Sequence, residues 1–194
     1  MNKALKITLT IILFAVIFAA IIIGIKFAYD TYINMSYPLE YQEEVYSASE
    51  KYDIPKELIY GVIKTESNFN PNAVSAADAR GLMQLTQPTF EWLNTYYSDD
   101  DYDSSNADLL FEPEINIEYG TLCLSVLLER YNNDLDTAIC AYNAGLGNVD
   151  EWLTMSEYSQ DGKTLDSTPF GETNEYLKRV KSNRDKYAEL YFSK

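Results

Sequence analysis

The sequence predicts a mainly α domain preceded by one N-terminal transmembrane helix, and three observations lead there. Residues 7–25 (ITLTIILFAVIFAAIIIGI) contain no charge and no proline. Beyond them, apolar and aromatic residues recur at helical spacing, with a proline near several of the expected starts. No stretch shows sustained period-two alternation closed by hairpin turns, the pattern a sheet would need.

The apolar run comes first. Nineteen residues at about 1.5 Å each span roughly 28 Å, close to the hydrocarbon thickness of a bilayer. The run exceeds the roughly 7–15 residues of a signal-peptide core, and no small-x-small cleavage site follows it. It therefore reads as an uncleaved signal anchor, with a cleaved signal peptide as the alternative. No cysteine closes the run, which argues against a lipoprotein signal. Lys3 and Lys6 precede it, while Lys26 and Asp30 nearly cancel behind it. The positive-inside rule then leaves the N-terminus in the cytoplasm and the rest outside a cell membrane crossed once. The expected organisation is a cytoplasmic segment 1–6, a span 7–29, a juxtamembrane connector 30–40 and an external domain 41–194.

Within the external domain, Pro38 precedes a helix to about residue 52, and Pro55 opens one ending near Glu66. Residues 81–86 read as a short helix, and Pro88 opens another to about residue 97. Pro113 opens a long helix containing INIEYGTLCLSVLLERY. Residues 135–144 follow after a tight turn, 147–153 form a short helix, and 173–191 form the last. Two polar segments interrupt the pattern. Residues 98–108 are acidic, and 154–171 are rich in Ser, Thr, Asp and Gly, suited to a flexible lip.

Charge and composition exclude several functions. The net charge is −15, and the first 35 residues carry +2, so the external part carries −17. A surface that acidic argues against nucleic acid or anionic lipid as partners. It also means that any grip on an anionic polymer must come from a shaped cleft. No histidine is present, which removes His-based zinc sites, the Ser-His-Asp triad and the Cys-His dyad together. Catalysis would have to use carboxylates, tyrosines, amides or lysines. Cys123 and Cys140 fall on consecutive helices; an external location permits a disulfide, and two small buried thiols are the alternative. Asp101, Asp103, Ser105 and Glu112 match parts of a calcium-loop spacing. Asn106 stands where such loops require glycine, so a solvated loop is the better reading.

Four motifs carry chemistry. In PKELIYGVIKTESNFNP, Leu58, Ile59, Val62 and Ile63 form an apolar stripe, and Glu66 continues it at the C-terminal end of the helix. Burial and the negative end of the helix dipole both raise a carboxyl pKa there, as a general acid requires. The plain alternative is a helix-ending Glu turned to water. In SNFNPNAVSAADARGLMQLTQPTF, Ser75 and Gln84 offer hydrogen bonds to a hydroxylated or amide-bearing ligand, and Gly81 allows close backbone approach; a capped turn entering a buried helix explains the stretch equally well. In AYNAGLGNV, Tyr142 and Asn143 at a helix end suit a sugar ring, by stacking and amide hydrogen bonds, though helix termination accounts for the glycines. In ETNEYLKRV, Glu172 and Tyr176 share one helix face at i and i+4, as an ordinary surface pair would.

Together, ESNFNPNAVS, GLMQLT, AYNAG and ETNEY, in this order, resemble the catalytic domain of the soluble lytic transglycosylase family, whose fold is similar to goose-type lysozyme. The resemblance covers about residues 41–190. It implies a lysozyme-like helical domain in which Glu66 is the catalytic acid and base. Ser75, Met83, Gln84, Tyr142, Asn143, Glu172 and Tyr176 correspond to substrate-binding positions, with Tyr176 close to the catalytic carboxyl. The implied substrate is the peptidoglycan glycan strand, cleaved between N-acetylmuramic acid and N-acetylglucosamine to leave 1,6-anhydromuramic acid, with no metal or organic cofactor. One departure stands out: Asp78 occupies a turn position where the family commonly has glycine. Aspartate tolerates positive φ better than most residues. A hydrolytic muramidase and a catalytically silent wall-binding module are the rival readings on this scaffold. A subunit that opens the wall for a secretion or conjugation machine differs from these in partners and not in chemistry.

Overall fold

The computed structural model describes residues 2–98 and 102–193. The chain forms two compact units, Met1–Leu39 and Glu40–Lys194. The first is one helix, α1 (Lys3–Ser36), of 34 residues, about 51 Å long. It is long and apolar enough to cross a membrane. Asn2 caps it, its side chain accepting from the Ala4 amide at 2.7 Å. The hydroxyls of Thr8, Thr10 and Thr31 donate to carbonyls one turn back, so these three polar hydrogens are satisfied within the helix. The helix runs through most of the expected connector because no breaker intervenes before Pro38.

The second unit is helical, with two isolated β-bridges and no strand among the described residues. In order come α2 (Gln42–Tyr52), α3 (Lys56–Glu66), α4 (Gln87–Tyr96), a 3-10 turn (Ala107–Phe111), α5 (Pro113–Arg130), α6 (Leu135–Ala144), α7 (Leu146–Leu153), α8 (Gly171–Tyr187) and a π turn (Ala188–Phe192). Prolines lie at the N-terminal ends of α3, α4 and α5, where a missing N–H costs nothing. Asn132 and Asn133, both with positive φ, make the tight turn from α5 to α6.

Helix α5 is the centre. It buries Ile115, Ile117, Tyr119, Leu122, Leu124 and Leu127 among others, each fully buried aliphatic side chain contributing about 1.5–3 kcal/mol. α2, α4 and α6 pack on it, and α6 also packs on α8. α3 and α8 pack closely at Gly61, where a Cβ would come within 2.9 Å of the Arg184 nitrogen. Tyr60 stacks on Tyr187 at 5.0 Å between ring centroids and on Phe192 at 6.1 Å, which fastens the C-terminal π turn to α3.

One expected element needs correction, and the segments around it take definite places. Residues 81–86 are not helical: Gly81 and Gln84 have φ of 78° and 51°, and Arg80 and Leu85 exchange backbone hydrogen bonds at 2.8 and 3.1 Å. The acidic 98–108 segment ends in the Ala107–Phe111 turn, which buries Leu110 completely. Of the calcium-like spacing, Asp101 lies outside the described residues, while Asp103 and Asn106 accept from the Ser105 and Asp108 amides. The expected lip is anchored by Leu165, whose amide donates to Thr137 Oγ1 at 2.9 Å. Cys123 and Cys140 are unbridged and buried, and burial pushes both thiols up to about 12.

Candidate active site

Glu66 ends α3, and its location follows from the helix's apolar face. Leu58, Ile59, Val62 and Ile63 are 0–2% exposed, and Glu66 continues that face to the wall of a cleft of about 470 Å³. Beyond it the chain reverses sharply through Asn68 and Phe69, both left-handed. Ser67 anchors the reversal, its hydroxyl donating to the Leu82 carbonyl at 2.8 Å.

The carboxyl has one specific partner. Tyr176, on α8 and 2% exposed, donates its hydroxyl to Glu66 Oε1 at 2.6 Å. Burial raises the Glu66 pKa from 4.5 to about 7, against the Tyr176 hydrogen bond and the Arg179 charge, which both lower it. Tyr176 is itself held well above its ordinary value, by burial first and then by the Glu66 charge. It is therefore a neutral donor.

The opposite wall is the 73–86 loop, and a buried amide shapes it. Asn116 on α5 is fully buried. Its Oδ1 accepts from the Met83 amide at 2.7 Å, and its Nδ2 donates to the Arg80 and Leu110 carbonyls at 2.9 and 2.8 Å. Gly81 is required beside it: a Cβ there would stand 2.1 Å from the Leu110 oxygen and 2.3 Å from Asn116 Nδ2.

The cleft brings together Glu66, Ser75, Gln84, Tyr142, Asn143 and Glu172. Ser75 Oγ accepts from the Ala77 and Ala79 amides, and Gln84 Nε2 donates to the Ala73 and Gly81 carbonyls, so both hold the loop while facing the cleft. The Tyr142 hydroxyl donates to the Met83 carbonyl at 2.9 Å, which leaves its ring as the contact surface. Asn143 Oδ1 accepts from Thr173 Oγ1 at 2.9 Å, joining the end of α6 to α8. Glu172 is exposed on the cleft wall.

The structure does not bring the Met83 side chain to the cleft. It is 0% exposed and packs against Gly120, where a Cβ would lie 2.4 Å from its sulfur. Asp78 has φ 58°, and its carboxylate oxygens accept from Arg80 Nε and Nη2, each at 3.1 Å. Arg80 also donates to Asp108 at 2.7 Å, so a cation accompanies the acid where the family commonly has glycine.

Sequence reasoning missed Asn116, Thr86, Thr89 and Thr173. Thr86 and Thr89 line the cleft, and Thr86 caps α4; a threonine two residues before Pro88 was a readable signal. For Asn116 the signal was a lone amide inside an apolar helix.

Fold and cleft together define a lysozyme-like helical domain whose cleft wall carries one buried carboxyl, Glu66, with a raised pKa. The transglycosylase SLT domain family matches residues 44–165, and the chain belongs to it. The membrane-bound lytic murein transglycosylase C of Edwardsiella ictaluri is 31% identical over 170 residues, 78% of this chain and 47% of that protein. Its counterpart in Pectobacterium atrosepticum is 34% identical over 167 residues, 76% of this chain and 46% of that one. The chain thus spans about half the length of these curated relatives. The crystal structure of the 70-kDa soluble lytic transglycosylase from Escherichia coli superposes with a TM-score of 0.70 at 28% identity, over 79% of this chain and 25% of that one. An enzyme of that kind in complex with bulgecin A gives 0.72 at 29%, over 81% and 25%.

Proposed function

We propose that the chain is a membrane-anchored peptidoglycan lytic transglycosylase with Glu66 as its single catalytic acid and base. The observation that carries this reading is the Glu66–Tyr176 pair: a cleft-wall carboxyl raised to about 7 and held by a neutral donor at 2.6 Å. Near neutral pH such a group is divided between its two forms, so it can both give and take a proton. The names of the relatives support the substrate class.

Most glycoside hydrolases place two carboxylates across the scissile bond. A transglycosylase manages with one, because the nucleophile belongs to the substrate. Protonated Glu66 gives its proton to the β-1,4 glycosidic oxygen between N-acetylmuramic acid and N-acetylglucosamine, and the C1–O bond breaks. The N-acetyl oxygen of the muramic residue stabilises the cation-like sugar. Glu66, now a carboxylate, takes the proton from the C6 hydroxyl as that oxygen closes on C1. The product is 1,6-anhydromuramic acid; no water is consumed and the enzyme is returned protonated. Tyr176 orients the carboxyl, Ser75 and Gln84 shape the loop under the strand, the Tyr142 ring and Asn143 contact the sugar, and Glu172 holds a substrate amide. In this scheme α1 crosses the membrane once, with residues 1–6 cytoplasmic and the 41–194 domain outside.

The test is digestion of purified peptidoglycan by the full chain in detergent, with products weighed by mass spectrometry. Muropeptides lighter by one water than hydrolytic products are expected, and Glu66→Gln abolishes them. Reducing ends alone would make the protein a muramidase, and no cleavage at all would leave a wall-binding module.

A further inference from the structure

Tyr142, on the wall of the Glu66 cleft, also borders a further hollow. Thr89 and Cys123 on the cleft wall do the same, and this second hollow, of about 290 Å³, is completed by Pro88, Trp92, Leu127 and Leu146 among others. Trp92 and Leu146 in turn wall a third, about 550 Å³, that reaches Tyr97, Glu129 and Arg130. Neighbouring hollows share wall residues, so the three adjoin one another; taken together they offer a strand a groove from Glu66 along α4 and α5.

Trp92 stands where the second and third hollows meet. On α4, Phe90 and Leu93 are buried completely in the core, whereas Trp92 is only partly buried and lines the groove. Tyr97 sets its ring edge-on against the indole, 5.2 Å between centroids at 71°, which restricts the indole's rotation. The surrounding Pro88, Leu127 and Leu146 are apolar. A braced indole in an apolar trough matches the CH face of a pyranose, whose hydroxyls can then point to the open side. A stem peptide would not have to follow the groove from Glu66, but a glycan strand does, because its sugars are joined end to end.

We propose that Trp92 is a specificity-determining residue that stacks on a sugar of the glycan strand remote from the bond broken at Glu66, so that the protein favours long strands over short fragments. This rests on the reading of the Glu66 cleft as a glycan site.

The experiment uses the full chain carrying Glu66→Gln in detergent, so that binding is read without cleavage. Affinity is measured for long glycan strands freed of stem peptides and for single-disaccharide fragments. Adding Trp92→Ala is expected to weaken long-strand binding about tenfold, the size of one aromatic contact, and to erase most of the preference for length. Trp92→Tyr is expected to restore it. An equal loss for both ligand lengths overturns the proposal, as does a loss seen only with peptide-bearing strands. Failure of Trp92→Tyr to differ from Trp92→Ala also overturns it. If the chain with Glu66 intact makes anhydro products and Trp92→Ala leaves length preference alone, this inference fails and the reading of the cleft stands. If the chain binds and cleaves no glycan, both fail.

Discussion

At the scale of single residues, the proton that Glu66 needs for its proposed role carries a cost in stability. The folded pKa of Glu66, about 7, lies above the ordinary 4.5, so the folded state holds the proton more tightly than the unfolded chain does. The contribution of this group is therefore most favourable below about pH 4.5 and is lost as the pH climbs through 7. The loss is at most about 3 kcal/mol, less whatever solvent screens through the cleft mouth. Glu66→Gln removes it: the variant should be more stable than the parent in urea denaturation at pH 8 and equal to it near pH 4. Tyr176→Phe acts in the other direction. Its hydroxyl stabilises the ionised carboxyl, so removing it raises the Glu66 pKa further. The alkaline limb of the pH–rate profile should move to higher pH. Turnover at neutral pH should fall about tenfold once no hydroxyl orients the carboxyl.

At the scale of elements, the 73–86 loop and α5 work as one piece. Asn116 supplies three hydrogen bonds that give the loop its shape, and they are buried. Asn116→Ala strips partners from the Met83 amide and the Arg80 and Leu110 carbonyls together. It should lower stability by about 2–4 kcal/mol in urea denaturation, and it should reduce activity because Gln84 and Leu85 lose their register in the cleft. This loop is also where sequence reading failed. Four residues of GLMQ look helical by composition, yet their backbone answers to an amide 33 residues away. The helices flanking it were legible because their starts are marked locally, by Pro55, Pro88 and Pro113. Glu66 was legible for a similar reason, since its place on the stripe of Leu58, Val62 and Ile63 follows from periodicity alone.

At the scale of the whole molecule, the acidic domain and the apolar helix are two units in one chain, and the proposed arrangement sends one of them outside. Protease added to intact spheroplasts should degrade the 41–194 domain and spare a fragment containing residues 7–29, detected with an N-terminal epitope. Survival of the whole chain would reverse or remove the anchor. The residues beyond position 35 carry a net −17, so if the proposed anionic wall polymer is the substrate, binding has to come from shape and short-range contacts. The contact proposed at Trp92, in the hollow beside the Glu66 cleft, is of that kind.

By itself the sequence determined the helical class, the apolar N-terminal helix, the ends of most helices and the place of Glu66 at the end of the α3 apolar stripe, because periodicity, prolines and motif residues act over a few positions. The family resemblance put Tyr176 near Glu66, but only the tertiary structure decided that its hydroxyl donates to the carboxyl across 110 residues. It alone placed the Met83 side chain under Gly120 and made a loop of residues 81–86. Those outcomes depend on how closely α3, α5 and α8 pack, and packing distance is set by all the side chains at an interface together, which no local stretch of sequence contains.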